Sequence, residues 1–190
     1  MSEKLKKLVL AALLSAIALT LFFVEFPLFP FVPAASFLKL DFSDIPALLG
    51  AMLLGPGWGV LIELMKNLLQ LVVKGAGSQM GFGNVMNFAV GTAFILPFSL
   101  IFRRAQKRDE IAKRDQILAS VTGTVSIAAV GVGMNLLIMP LYFRYFVGAQ
   151  LPMSAILGVV WYATALNAVK GVILSASSLL YKPVKKAAKL

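Results

Sequence analysis

Between Gln116 and Met139 the chain runs through 24 residues without a charged side chain, and between Asn84 and Phe102 through another 19. A helix of ~20 apolar residues is long enough to cross the hydrocarbon core of a bilayer. Further apolar stretches at about Leu5 to Val24, Ile45 to Leu54, Val60 to Val73 and Ser154 to Tyr181 raise the number of predicted helices to six. The second is short and borrows length from the segment before it. Charged residues make up 14% of the chain and hydrophobic ones 59%, where a soluble domain carries roughly 25% charged residues. The expected fold is therefore all-α: one domain, residues 1–190, forming an integral membrane bundle of six transmembrane helices.

The net charge of +10 would suit nucleic acid if it were spread over a surface, but its placement argues against that partner. Thirteen of the 18 basic residues sit in three places: Lys4, Lys6 and Lys7; Arg103, Arg104, Lys107, Arg108, Lys113 and Arg114; and Lys182, Lys185, Lys186 and Lys189. Each cluster flanks an apolar run, the pattern by which Lys and Arg mark cytoplasmic loops. Both termini and the connection between the fourth and fifth helices are thus expected inside. Lys39, Lys74 and Arg144 fall on the outer side. The opening Lys-Leu-Lys-Lys would also suit a signal peptide, but the apolar run is longer than a signal core and reads as a retained span.

Cysteine and histidine are both absent. Thiolate and Ser-His chemistry, disulfides and most zinc or haem sites are excluded with them. No glycine precedes a lysine, so there is no Walker A loop. The clusters Gly55-Pro56-Gly57-Trp58-Gly59, Gly75-Ala76-Gly77 and Gly131-Val132-Gly133 follow no strand and read as turns or close helix contacts. Acidic residues are scarce, and Glu3, Asp109, Glu110 and Asp115 belong to the predicted cytoplasmic surface. No catalytic residue, metal site or cofactor is expected, and no internal repeat of a carrier is visible.

What remains is a small set of polar residues where hydrocarbon is expected, each costing up to ~3 kcal/mol at mid-membrane. Glu63 and Lys66, three apart, are placed to pair with each other. Lys170 has no local carboxylate, and Asn167 precedes it on the same helical face. An unpaired buried lysine points to a ligand or a partner charge. Asn84, Asn87 and Asn135 lie near the outer ends of their helices and either meet a heteroaromatic edge or tie helix to helix. Pro27, Pro30 and Pro33 break the chain after the first helix into an ordered loop or re-entrant segment packed on the bundle. Asp41 and Asp44 close that loop, with Asp44 placed to cap the second helix. Tyr142, Phe143, Tyr145 and Phe146 read as an interface belt. Ala12 and Ala16, one turn apart, would let another helix approach closely.

The run Lys39-Leu40-Asp41-Phe42-Ser43-Asp44-Ile45-Pro46-Ala47-Leu48-Leu49-Gly50 resembles the segment after the first span in riboflavin-specific substrate-binding (S) components of energy-coupling factor (ECF) transporters. So do Gly55-Pro56, Glu63-Leu64-Met65-Lys66-Asn67-Leu68-Leu69 and the closing Asn167-Ala168-Val169-Lys170-Gly171. The resemblance covers essentially the whole chain. It implies a vitamin-uptake protein in a prokaryotic plasma membrane that binds riboflavin from outside. Its partners would be a transmembrane coupling subunit and two cytoplasmic ATPases. It further implies that Asn135, Asn167 and Lys170 hydrogen-bond the flavin and that Leu40 and Asp41 close over it. Asn84, Asn87 and Tyr142 would join by location. Ala12 and Ala16 resemble the motif that docks on the coupling subunit. Riboflavin would be transported ligand, not cofactor. The competing readings are an S component for another vitamin, an autonomous ion-coupled carrier using Glu63 and Lys66, and a small intramembrane enzyme. The last lacks the residues for its chemistry.

Overall fold

The computed structural model describes residues 2–36, 38–75, 81–108 and 111–188. Most of the predicted glycine-rich connection, residues 76–80, lies outside the described residues, as do Asp109, Glu110 and Lys189. Helix α1, Glu3–Phe22, starts at Ser2, whose Oγ accepts from the Leu5 amide at 3.3 Å. Its Ala11, Leu14, Ser15, Ala18 and Phe22 are buried, a stripe at helical spacing against the bundle. Its other face carries exposed Leu8, Leu13 and Ile17, a surface suited to lipid.

The proline-rich segment is ordered, as its sequence predicts, and docked. Strands β1 (Phe26–Pro27) and β2 (Lys39–Leu40) pair antiparallel, Phe26 opposite Leu40 and Pro27 opposite Lys39. A 3-10 turn, Pro33–Ala35, lies between them. Phe29 packs edge-on against Tyr162, ring centroids 5.1 Å apart, and anchors the segment on the bundle.

Helix α2, Asp44–Leu54, has 11 residues. At 1.5 Å per residue it is far too short to cross a bilayer by itself. Nearly all of it is buried, so it serves as the central strut of the bundle. Gly55 separates it from α3, Pro56–Lys74, with Pro56 in the first turn, where a missing amide costs nothing. Helices α4 (Phe82–Gln106), α5 (Lys113–Tyr142) and α6 (Met153–Ser177) complete the six principal helices. Among the described residues, four helical stretches are long and apolar enough to cross a membrane: Glu3–Phe22, Phe82–Gln106, Lys113–Val147 and Met153–Ala187. The six predicted spans thus divide into four long apolar helices, the short buried α2, and α3, which turns Glu63, Lys66 and Asn67 inward and leaves Leu61, Leu64, Met65 and Leu68 exposed.

Two boundaries differ from the sequence expectation. The fifth helix, read from the sequence over Gln116 to Met139, runs on through Pro140 to Tyr142 and into a π-helical turn, Phe143–Val147. A proline in the last turn of a membrane helix is tolerated where neighbouring helices and local π adjustments re-satisfy the backbone. The last helix is not one rod. Ser177 and Ser178 bond back to the carbonyls of Leu174 and Ser175. A 3-10 turn, Ser178–Leu180, then leads into α7, Tyr181–Ala187. Back-bonding serines of this kind bend helices.

Candidate functional site

Three helices each turn one stripe toward a common space. Gly83, Met86, Asn87 and Val90 on α4, Asn135, Ile138, Met139 and Tyr142 on α5, and Ala163, Leu166, Asn167 and Lys170 on α6 all line one cavity. Each set has the spacing i, i+3, i+4, i+7, the single face of a helix. Leu38, Lys39 and Asp41 close the space from the β2 segment. The cavity measures about 360 Å³, within the range of small-molecule sites. Its walls are largely aliphatic, with amides, a phenol and the Lys170 ammonium set among them.

The amides are held in different ways. Asn135 donates through Nδ2 to the Gly131 carbonyl at 2.8 Å. Asn87 lines the cavity, and its Oδ1 is buried with no donor among the described residues. Asn167 sits against α5 where Gly131 has no side chain, for a Cβ there would collide with its Nδ2. Gly131 is therefore a close-approach glycine that seats an amide from the facing helix. The π turn folds Phe146 back on Phe82, ring centroids 5.2 Å apart, and Tyr142 packs on both. The predicted aromatic belt is thus divided: Tyr142 and Phe143 face the cavity, while Tyr145 is exposed beside Arg144.

Lys170 is not the unpaired lysine that the sequence implies. Its Nζ lies 2.8 Å from Asp44 Oδ2 and 3.4 Å from Asp41 Oδ2. These carboxylates are over a hundred residues away in sequence and could not be found by local spacing. Asp44 does not act as the cap: Ser43 holds that position, and the Asp44 carboxylate serves Lys170 and Lys66. Asp41 Oδ1 accepts from the Ser43 amide at 2.9 Å and from the Ser43 hydroxyl, which locks the turn into α2. Glu63 and Lys66 do pair, at 2.5 Å, and Lys66 lies equally close to Asp44.

Of the residues named from the sequence, Asp41, Asn87, Asn135, Tyr142, Asn167 and Lys170 meet at the cavity. Leu40, in β2, is buried and does not line it. Asn84 also lies outside the lining. It donates to the Asn67 carbonyl at 3.0 Å and to Gln70 Oε1 at 2.6 Å, tying α4 to α3. Ala12 and Ala16 are exposed on α1, on the face turned away from the bundle. Sequence reasoning missed Lys39, Met86 and Leu166 as lining residues; the stripe spacing on α4 and α6 was the available signal for the last two. Lys39 is held by Glu25 at 2.6 Å, and Glu25 also binds Lys74 at 3.1 Å. Burial alone would raise the Glu25 carboxyl, but the two ammonium groups outweigh it and hold the group below its ordinary range.

With this geometry in place, the likeness to known proteins becomes specific. The model of the family described as ECF transporter, substrate-specific component, matches residues 6–181. The riboflavin transporter FmnP of Bacillus subtilis is 34% identical over 174 residues, covering 90% of this chain and 87% of its own. The riboflavin transporter RibU of Streptococcus thermophilus is 31% identical over 186 residues, covering 95% and 83%. A solved structure of the S component of a bacterial ECF transporter superposes with a TM-score of 0.77 at 28% identity, over 99% of this chain and all of that one.

Proposed function

Because the chain belongs to the substrate-specific components of ECF transporters, we propose that its cavity captures riboflavin from outside the cell for delivery inward. The observation that carries this reading is the convergence of Asn87, Asn135, Asn167 and Lys170, with Tyr142, on one mostly apolar cavity. Riboflavin combines a broad aromatic ring, a pyrimidine edge that both donates and accepts, and a chain of hydroxyls. Carboxamides meet such edges in both senses, and an ammonium donates to carbonyl or hydroxyl oxygen. The aliphatic walls take the ring. The ligand lacks a phosphate, and the carboxylates around Lys170 leave no surplus positive charge to recruit one.

In this reading the basic end of the bundle faces the cytoplasm of a prokaryotic cell and the cavity faces out. The partners are the transmembrane coupling subunit and its two ATPases, and the exposed Ala12 and Ala16 face of α1 is the docking surface. The absence of a Walker A motif agrees with energy supplied by other chains. The test is a riboflavin titration of the detergent-purified protein, read by flavin absorbance and fluorescence. Lys170→Ala and Asn167→Ala should each weaken binding by about tenfold or more, the cost of a charge-assisted or amide hydrogen bond in a dry site. Unchanged affinity in both would remove the assignment. Changing Ala12 and Ala16 together to leucine should abolish cellular uptake while sparing binding. Loss of binding would place that face in the core instead.

A further inference from the structure

Five charged side chains lie together in the interior, yet only Asp41 and Lys170 reach the cavity. The other three, Asp44, Glu63 and Lys66, have no exposed surface at all. They form one chain of contacts. Lys170 Nζ stands 2.8 Å from Asp44 Oδ2, Asp44 Oδ1 stands 2.5 Å from Lys66 Nζ, and Lys66 Nζ stands 2.5 Å from Glu63 Oε1. Asp44 thus gives one oxygen to each of two lysines from different helices. Glu63 is fixed in turn from two sides. Asn67 Nδ2 lies 3.1 Å from its Oε1, and α4 presses on it at Gly91, where a Cβ would come within 2.6 Å of that oxygen.

Buried ion pairs contribute little net stability, because desolvation consumes most of the attraction. A single Asp41–Lys170 pair would balance the cavity charge, so three further buried charges need another reason. Lysine is a point charge on a flexible four-carbon stem and holds no direction by itself. Its ammonium has three N–H donors. The hydrogen bond to Asp41 at 3.4 Å directs one of them, and the Asp44 carboxylate, its Oδ2 2.8 Å away, holds the ammonium in place as an ion pair. Lys66 matters because it occupies Asp44 Oδ1. Without it, both oxygens of Asp44 would be free to draw Lys170 down toward α2 and out of the cavity wall.

We infer that Asp44 and Lys66 are positioning residues for riboflavin binding: Asp44 orients the Lys170 ammonium at the cavity wall, and Lys66, anchored by Glu63, keeps Asp44 from capturing it. This rests on the riboflavin reading above and names the part of the interior that sets the affinity of the site without touching the ligand.

The test is a double-mutant cycle on the full-length purified protein, titrated with riboflavin, with thermal unfolding of every variant. Asp44→Asn and the charge-balanced pair Glu63→Gln with Lys66→Gln are each made in the native background and in Lys170→Gln. In the native background each should weaken riboflavin binding about tenfold. In Lys170→Gln each should add less than about twofold, because the group being positioned is gone. A purely structural role would give the same factor in both backgrounds and would overturn the inference, as would native affinity in Asp44→Asn. If Asp44→Asn does not fold, the charge-balanced pair decides by the same criterion. Failure of the unsubstituted protein to bind riboflavin would overturn the ligand reading and this inference with it. Binding by the native protein with multiplicative variants would overturn the inference alone.

Discussion

Helices α4, α5 and α6 are solid at one end of the bundle and hollow at the other. Toward the basic end, the α4 rings of Phe94, Phe98 and Phe102 stack at 5.4 and 6.0 Å and meet Tyr181 of α7 edge-on at 5.0 Å. Gln106 reaches the Tyr181 hydroxyl at 2.7 Å, and Gln116 reaches Ser178 at 3.0 Å, sealing that end. At the other end the same helices carry Asn87, Asn135 and Asn167 beside Phe82, Tyr142 and Phe143 and enclose the cavity. Within lipid there is little hydrophobic drive to hold helices together, so close packing must do it. The aromatic ladder supplies that packing, and the hollow end depends on it for its shape.

This contrast can be broken most strongly at Phe98, which is fully buried between its two ring neighbours. Phe98→Ala should lower stability by about 2 kcal/mol or more through the void and the lost dispersion contacts. The affinity of the protein that remains folded should stay near native, since Phe98 does not line the cavity. Thermal unfolding in detergent and a low-temperature flavin titration check the two halves. A large loss of affinity at unchanged stability would mean that the ends are not separable.

A smaller and more local test uses two glycines of α5. Gly131 lies against Asn167, whereas nothing stands within 4 Å of where a Gly133 side chain would begin. Gly131→Ala should push Asn167 from its seat and weaken binding by about fivefold, while Gly133→Ala, on the same helix, should bind as the native protein does. Equal behaviour of the two variants would show that the Asn167 position is not set by this contact.

The two ends were not equally readable. Charge-free runs announced the helices, because a bilayer leaves the backbone few alternatives to helix. The stripes of Asn135 to Tyr142 and Ala163 to Lys170 were also open to reading, since one face of a helix has one period. The partner of Lys170 was not: Asp44 is 126 positions earlier, and no periodicity links residues on helices that meet only after the bundle forms. The same limit misplaced Asn84, whose residue type and depth match Asn87 but which faces Gln70 on α3 rather than the cavity. Residue type identified the groups that need a partner; only packing decided which of them found one inside the protein.

The least of the expected effects concerns the edge of the hollow end. Glu25, just beyond α1, holds Lys39 of β2 and Lys74 at the close of α3. Because its folded carboxyl lies below the ordinary value of 4.5, the clamp contributes fully above that value and is lost as pH falls through the lowered one. Both lysines are about half exposed, so solvent and salt screen the contacts and the effect is small. Glu25→Gln should raise the dissociation rate of bound flavin by less than about threefold near neutral pH. The native protein should approach the variant's rate only as pH drops below about 4.5. Stopped-flow dissociation across pH reads this directly. A variant with the native rate at every pH would show that the β2 segment is held elsewhere, by Phe29 against Tyr162 or by the turn from Asp41 to Ser43.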